Sequence, residues 1–116
     1  MPKLHDDHLL MRIFIGESDR YKHMPLYEAL LDMFRNEGIA GGTVLRGVCG
    51  FGANRQFHTQ KLLDLSADLP LIVEVVDTTE KINAIMPRID EMVGDGMITL
   101  EAVTVIRHFR DNNNQA

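Results

Sequence analysis

The chain of 116 residues holds one cysteine, four prolines and no tryptophan, and each shortage excludes something. A single thiol, Cys49, cannot close an internal disulfide or supply the Cys-x-x-Cys thiolate pair of a heavy-metal carrier. Scarce cysteine fits a reducing compartment, and the opening Met1-Pro2-Lys3-Leu4-His5-Asp6-Asp7-His8 lacks the cationic-then-apolar order of an export signal, so a cytoplasmic protein is expected. No apolar run approaches the ~20 residues that cross a bilayer as a helix. There is no basic run either. With 17 acidic against 12 basic side chains and a net charge of -5, unspecific nucleic-acid binding, which needs clustered Lys and Arg on phosphates, is not expected. Aromatic residues make up 6% of the chain and segment 71–76 has none, so the base stacking of an RNA-recognition module lacks its platform.

What is present is the balance of a globular protein: 45% hydrophobic and 25% charged residues, in a length that makes one domain of residues 1–116. An ordered core is expected over about 8–110 and a loose polar tail over 111–116. Segment 9–15 places Leu9, Met11, Ile13 and Ile15 on one face and Leu10, Arg12 and Phe14 on the other, a strand with both faces largely apolar. Leu26, Leu30 and Met33, beside Tyr27, Leu31 and Phe34, recur at helical spacing, with Pro25 suited to the first helical position and Glu37-Gly38 to the stop; this predicts a helix over 25–37.

Segments 43–49 and 71–76 read as the next two strands. The connection between them, 50–68, is longer than the ~12–15 residues beyond which loops are usually functional. Asp77 and Glu80 have capping-box spacing. A second helix is therefore expected there, with Ile82, Ile85, Met86, Ile89, Met92 and Val93 as its apolar stripe and a kink at Pro87. Gly94-Asp95-Gly96 ends it. In the last strand, 97–106, the apolar phase changes between Leu100 and Val103, which predicts a bulge near Glu101-Ala102.

The order β-α-β-β-α-β predicts an α+β, ferredoxin-like βαββαβ fold: a four-stranded antiparallel sheet with two helices on one face. The other face stays uncovered and carries apolar side chains from segments 9–15 and 71–76, so self-association through the sheet is expected.

Few residues carry obvious chemistry. Cys49, among glycines and valines on a strand, reads as a small core residue. The His5-Asp6-Asp7-His8 cluster offers metal ligands but reads more simply as a solvated terminus, and His23, His58 and His108 are isolated in sequence. The glycines say more. Gly47-Val48-Cys49-Gly50-Phe51-Gly52 at a strand end and Gly94-Asp95-Gly96 before the last strand are places where backbone amides approach an anion closely. There is no P-loop and no Gly-x-Gly-x-x-Gly opening a helix.

In order, Pro25-Leu26-Tyr27-Glu28-Ala29-Leu30, Gly41-Gly42-Thr43-Val44-Leu45-Arg46-Gly47, Gly50-Phe51-Gly52, Asp64-Leu65-Ser66-Ala67-Asp68-Leu69-Pro70 and Thr99-Leu100-Glu101 resemble the PII-like family known as domain of unknown function 190. The resemblance runs over about 9–106. It implies a fold similar to the nitrogen-regulatory PII signalling proteins, a compact homotrimer, adenine nucleotides bound in clefts between subunits, and a long loop that meets a membrane transporter, a channel or an enzyme. By position, segment 50–68 matches that loop, with Phe51-Gly52 at its base, and Gly94-Asp95-Gly96 matches the phosphate-binding turn. Arg107 or Arg110 falls near the arginines that follow the last strand. Where PII proteins carry a lysine after that turn, this chain has Met97. The missing ammonium removes a charge-assisted contact of roughly 1.5–3 kcal/mol, which counts against a triphosphate; a mono-, di- or cyclic nucleotide needs fewer cations, and another small anionic effector is equally open.

The resulting expectation is a non-enzymatic regulatory protein. Its effector would meet Arg46, Gly50, Phe51, Gly52, Gly94, Asp95, Gly96, Arg107 and Arg110, and its partner would meet the loop through Arg55, His58 and Lys61. Two other readings stand beside it. One is a divalent-metal trimer in which His58, Cys49, Glu74 or the terminal histidines converge across subunits. The other is an enzyme using Glu17 with Asp19, or Asp64 with Asp68, as acid and base, although no nucleophile and base occur at matched positions.

Overall fold

The structure, a computed structural model, describes residues 4–51 and 68–109. The expectations that rest on Gly52, Arg55, His58, Lys61, Asp64, Arg110 and the tail lie outside the described residues. In chain order the elements are β1 (His5–Gly16), β2 (Arg20–Tyr21), β3 (Met24–Pro25), α1 (Leu26–Asn36), β4 (Thr43–Arg46), β5 (Pro70–Thr78), α2 (Thr79–Met92) and β6 (Met97–Val105). The four long strands form an antiparallel sheet in the order β4-β5-β1-β6, and β2 with β3 makes a separate small ribbon.

Strand alternation sets the core. Met11, Ile13 and Ile15 pair with Val75, Val73 and Leu71, and all six are buried beneath Leu26, Ala29, Leu30, Met33 and Phe34 of α1 and Ile82, Ile85, Ile89 and Met92 of α2. Met11, Ile13, Leu30, Val73, Ile82 and Ile89 reach 0% exposure, each burial contributing roughly 1.5–3 kcal/mol. Helix α1 stops because Gly38 takes φ +80. Its amide then bonds Arg35 O at 3.2 Å and the next amide, of Ile39, bonds Phe34 O at 2.9 Å, a glycine stop that also buries Ile39.

Several expectations are corrected. Pro25 closes β3 and caps α1 rather than opening it. The cap of α2 is Thr78, whose hydroxyl accepts from the Lys81 amide at 3.2 Å. Asp77 has the inward parity of Val73 and Val75 on β5, so its buried carboxylate instead accepts from the amides of Ala40 at 3.0 Å and Thr78 at 2.7 Å. The sheet's register shift lies between His5 and His8 of β1, not near Glu101-Ala102. On edge strand β6 the apolar phase can change without a bulge, since even Leu100 stays 45% exposed. Strand β4 ends at Arg46, and Cys49 beyond it is exposed, not a core residue.

Candidate functional site

Antiparallel pairing decides which candidate residues meet. Gly16 at the end of β1 pairs with Pro70 at the start of β5, Arg46 at the end of β4 pairs with Leu71, and Met97 at the start of β6 pairs with Phe14. Arg46, Gly50 and Phe51 therefore share one end of the sheet with the turn Gly94-Asp95-Gly96. They do not touch a common point, because β4 and β6 are the two outer strands and three spacings of ~4.8 Å separate them. Arg107 follows the far end of β6, about 30 Å from the turn at ~3.4 Å per residue. Within one subunit it stands at the opposite end of the molecule.

The two glycine groups are built by close packing. A Cβ on Gly47 would lie 2.8 Å from Cγ of Pro70, and Gly50 takes φ +155 beside the same proline. The Gly47 amide bonds Pro70 O at 2.7 Å, continuing the ladder one step past β4. At Gly96 a Cβ would meet Phe14 O at 3.0 Å and Val93 Cγ1 at 2.8 Å, whereas Gly94 faces open space.

Carboxylates line the ground between the two groups. Asp19 accepts from the Gly16 amide at 2.9 Å, Asp68 accepts from the Ser18 amide at 2.8 Å, and Glu17 pairs with exposed Arg46. Of the acids considered for acid–base chemistry, Glu17, Asp19 and Asp68 thus bind backbone or a cation; Asp64 lies outside the described residues. Arg46 remains a cation at the surface, but Glu17 offsets part of its charge.

The uncovered face of the sheet bears Leu10, Phe14, Leu45, Ile72, Val76 and Met97 around one polar centre. There Arg12 donates through Nε to Glu74 at 2.8 Å and through Nη1 to Glu101 at 2.6 Å. Hydrogen bonds to Glu74, then to Glu101, raise the Arg12 pKa above its ordinary value. Glu74 is therefore engaged by Arg12, and among the described residues no group of three or more His, Cys, Asp or Glu is set to hold a metal ion as it stands.

Sequence reading missed two features at the opposite end. A cavity of about 310 Å³ lies between the C-terminal half of α1 and the approach to β4, bounded by Leu31, Phe34, Arg35, Ile39 and Gly41 among others. Beside it, the segment after β6 folds back over the uncovered face, with the Phe109 ring against Gly41 and the His108 ring against those of His5 and His8. Far from fraying, His5 and His8 belong to β1, and His8 is 3% exposed. The pairing of His5 with Val105 could have signalled this, but only once the strands were aligned.

A sheet of this topology, helix-covered on one side, defines an α+β protein of ferredoxin-like architecture. The chain is similar in fold to CPII, described as a nitrogen regulatory PII-like protein from Thiomonas intermedia K12. One structure, bound to ADP, AMP and bicarbonate, gives a TM-score of 0.62 at 15% identity over 92% of this chain and 94% of that one. Another, bound to ADP and bicarbonate, gives 0.55 at 18% identity over 92% and 95%. The sequence narrows the class: the model of DUF190, an uncharacterized ACR family, matches residues 8–105, and the chain belongs to that family. It is similar to a UPF0166 protein of Aquifex aeolicus, 37% identical over 84% of this chain and 91% of that one, and to a UPF0166 protein of Methanocaldococcus jannaschii, 33% identical over 78% and 84%. No helix among the described residues is long and apolar enough to cross a membrane.

Proposed function

We propose that the protein is a non-enzymatic regulatory module of the PII-like kind, assembled as a homotrimer. In this reading a small anionic effector, an adenine nucleotide being the first choice, binds in clefts between subunits. The observation that carries it is the separation within one chain: the glycine turns and Arg46 lie at one end of the sheet and Arg107 at the other. Arg107 can reach a phosphate held at the Gly94-Asp95-Gly96 turn only from a neighbouring subunit. The structures of similar fold that hold ADP, AMP and bicarbonate support this choice of ligand class. Met97 adds no charge beside the turn, which favours one or two phosphates over three. Binding would act on segment 50–68, and through it on a transporter or channel, only if the effector prefers one state of that segment, since an indifferent ligand shifts nothing.

The test is a thermal-shift titration with AMP, ADP, ATP, cyclic AMP and bicarbonate. An effector at a hundred times its dissociation constant stabilises the protein by about 2.7 kcal/mol. Such a shift should appear with AMP or ADP and disappear in both Asp95→Ala and Arg107→Ala. Absence of any nucleotide shift would overturn the reading.

A further inference from the structure

Three imidazoles from the two ends of the chain meet on the sheet's uncovered face. The ring centroids of His5 and His108 are 4.6 Å apart, those of His8 and His108 5.0 Å, and those of His5 and His8 5.9 Å. His5 and His8 face the same way despite being three residues apart, because the register shift of β1 lies between them. His108 arrives over them from beyond β6.

His8 is the informative member. Its Nδ1 lies 3.0 Å from Oδ1 of Asp7. A carboxylate accepts, so in the neutral ring the proton sits on Nδ1 and Nε2 presents a bare lone pair. That Nε2 is buried and has no hydrogen-bond partner. An unsatisfied buried acceptor is costly, and here the centroids of two further imidazoles stand 5.0 and 5.9 Å from that of the His8 ring.

We infer that His5, His8 and His108 form a binding site for a borderline divalent transition-metal ion, with Asp7 orienting His8 from behind. Imidazole nitrogen suits zinc, cobalt, nickel and copper. A histidine that donates its other nitrogen to a carboxylate has the tautomer and orientation a metal ligand needs. Three imidazoles sharing one ion at ~2.0–2.1 Å per nitrogen have centroids about 5 Å apart, the spacing found here. The donors do not yet converge. His5 is only half-buried and His108 exposed, so both rings are free to turn toward the fixed Nε2 of His8, with water or a ligand completing the coordination. Filling the site would lock the segment after β6 across the sheet, tying residues 106–109 to β1.

The site is independent of the nucleotide reading and is tested with metal alone. The full chain is dialysed against Co²⁺ or Zn²⁺, and the Co²⁺ form is followed by its visible absorption. One equivalent per chain is expected, with the intense bands of a four-coordinate ion and affinity falling as pH is lowered, because protons compete for the same nitrogens. His108→Gln, on an exposed ring that the fold does not need, should weaken binding at least tenfold, as should His5→Gln. Asp7→Asn should weaken it by about 10–100-fold, and His23→Gln should change nothing. Circular dichroism establishes that each variant is folded. Failure to take up one equivalent, or uptake that survives both His5→Gln and His108→Gln, overturns the assignment.

Discussion

Gly94 and Gly96 stand two residues apart in one turn and should respond oppositely to alanine. At Gly96 the new methyl would press on a backbone carbonyl, Phe14 O, and on Val93, and the carbonyl cannot rotate away while β1 stays paired with β6. Gly96→Ala is expected to cost about 1–3 kcal/mol, the usual range for overpacking. Gly94 has no neighbour within 4 Å and no positive φ, so Gly94→Ala should be neutral or stabilise by about 0.4–1 kcal/mol through the unfolded chain. Urea unfolding followed by far-UV circular dichroism separates the two, and equal effects would contradict this geometry. Sequence shows that both positions are glycine but not which one is obligatory, because the backbone carbonyl that crowds Gly96 comes from Phe14 of β1, some 80 residues away in the chain. The same holds for Asp77. Its spacing to Glu80 suggests a cap, and only the parity of β5 reveals that the carboxylate turns inward to hold the amide of Ala40.

The long elements were readable because their periodicity and their burial agree. Strand β1 alternates, α1 and α2 carry apolar stripes, and each buried set follows the pattern in the residue order. The ribbon of β2 and β3 was not readable, since two-residue strands are too short to show any period, and β4 ended early where Gly47 and Gly50 wrap around Pro70. The candidate site divides the same way. Its glycine turns follow local sequence, whereas the three histidines depend on the pairing of β1 with β6. At this scale the start of α2 gives a direct check. Thr78→Ala removes the side-chain acceptor of the Lys81 amide and should cost about 0.5–2 kcal/mol. Glu80→Ala, at an exposed position, should stay within about 0.5 kcal/mol. A larger loss at Glu80 than at Thr78 would restore the Asp77–Glu80 capping box.

For the molecule as a whole, the uncovered sheet face is the surface most in need of an account. Val76, Leu45 and Met97 are 37%, 46% and 57% exposed on it, and its charge is concentrated in Arg12 between Glu74 and Glu101. Arg12 has its pKa raised by those two carboxylates, Glu74 first. A group with a raised pKa keeps its favourable contribution below its unfolded-state value and loses it only as pH rises through the folded value. For an arginine both lie beyond ordinary working pH, so this cation persists throughout. If copies of the chain assemble through the face, each buries a charge cluster whose members satisfy one another. Removing the single cation then strands two carboxylates inside the interface, which is far worse than losing a surface pair. Arg12→Leu should accordingly shift the protein toward monomer in sedimentation equilibrium at micromolar concentration while its far-UV spectrum is retained. Arg12→Lys should restore the assembly only in part, because one ammonium cannot reproduce the two-sided fork of a guanidinium. A wild-type chain that sediments as a monomer would sink the proposed trimer, and with it any cleft that needs Arg107 from a neighbour.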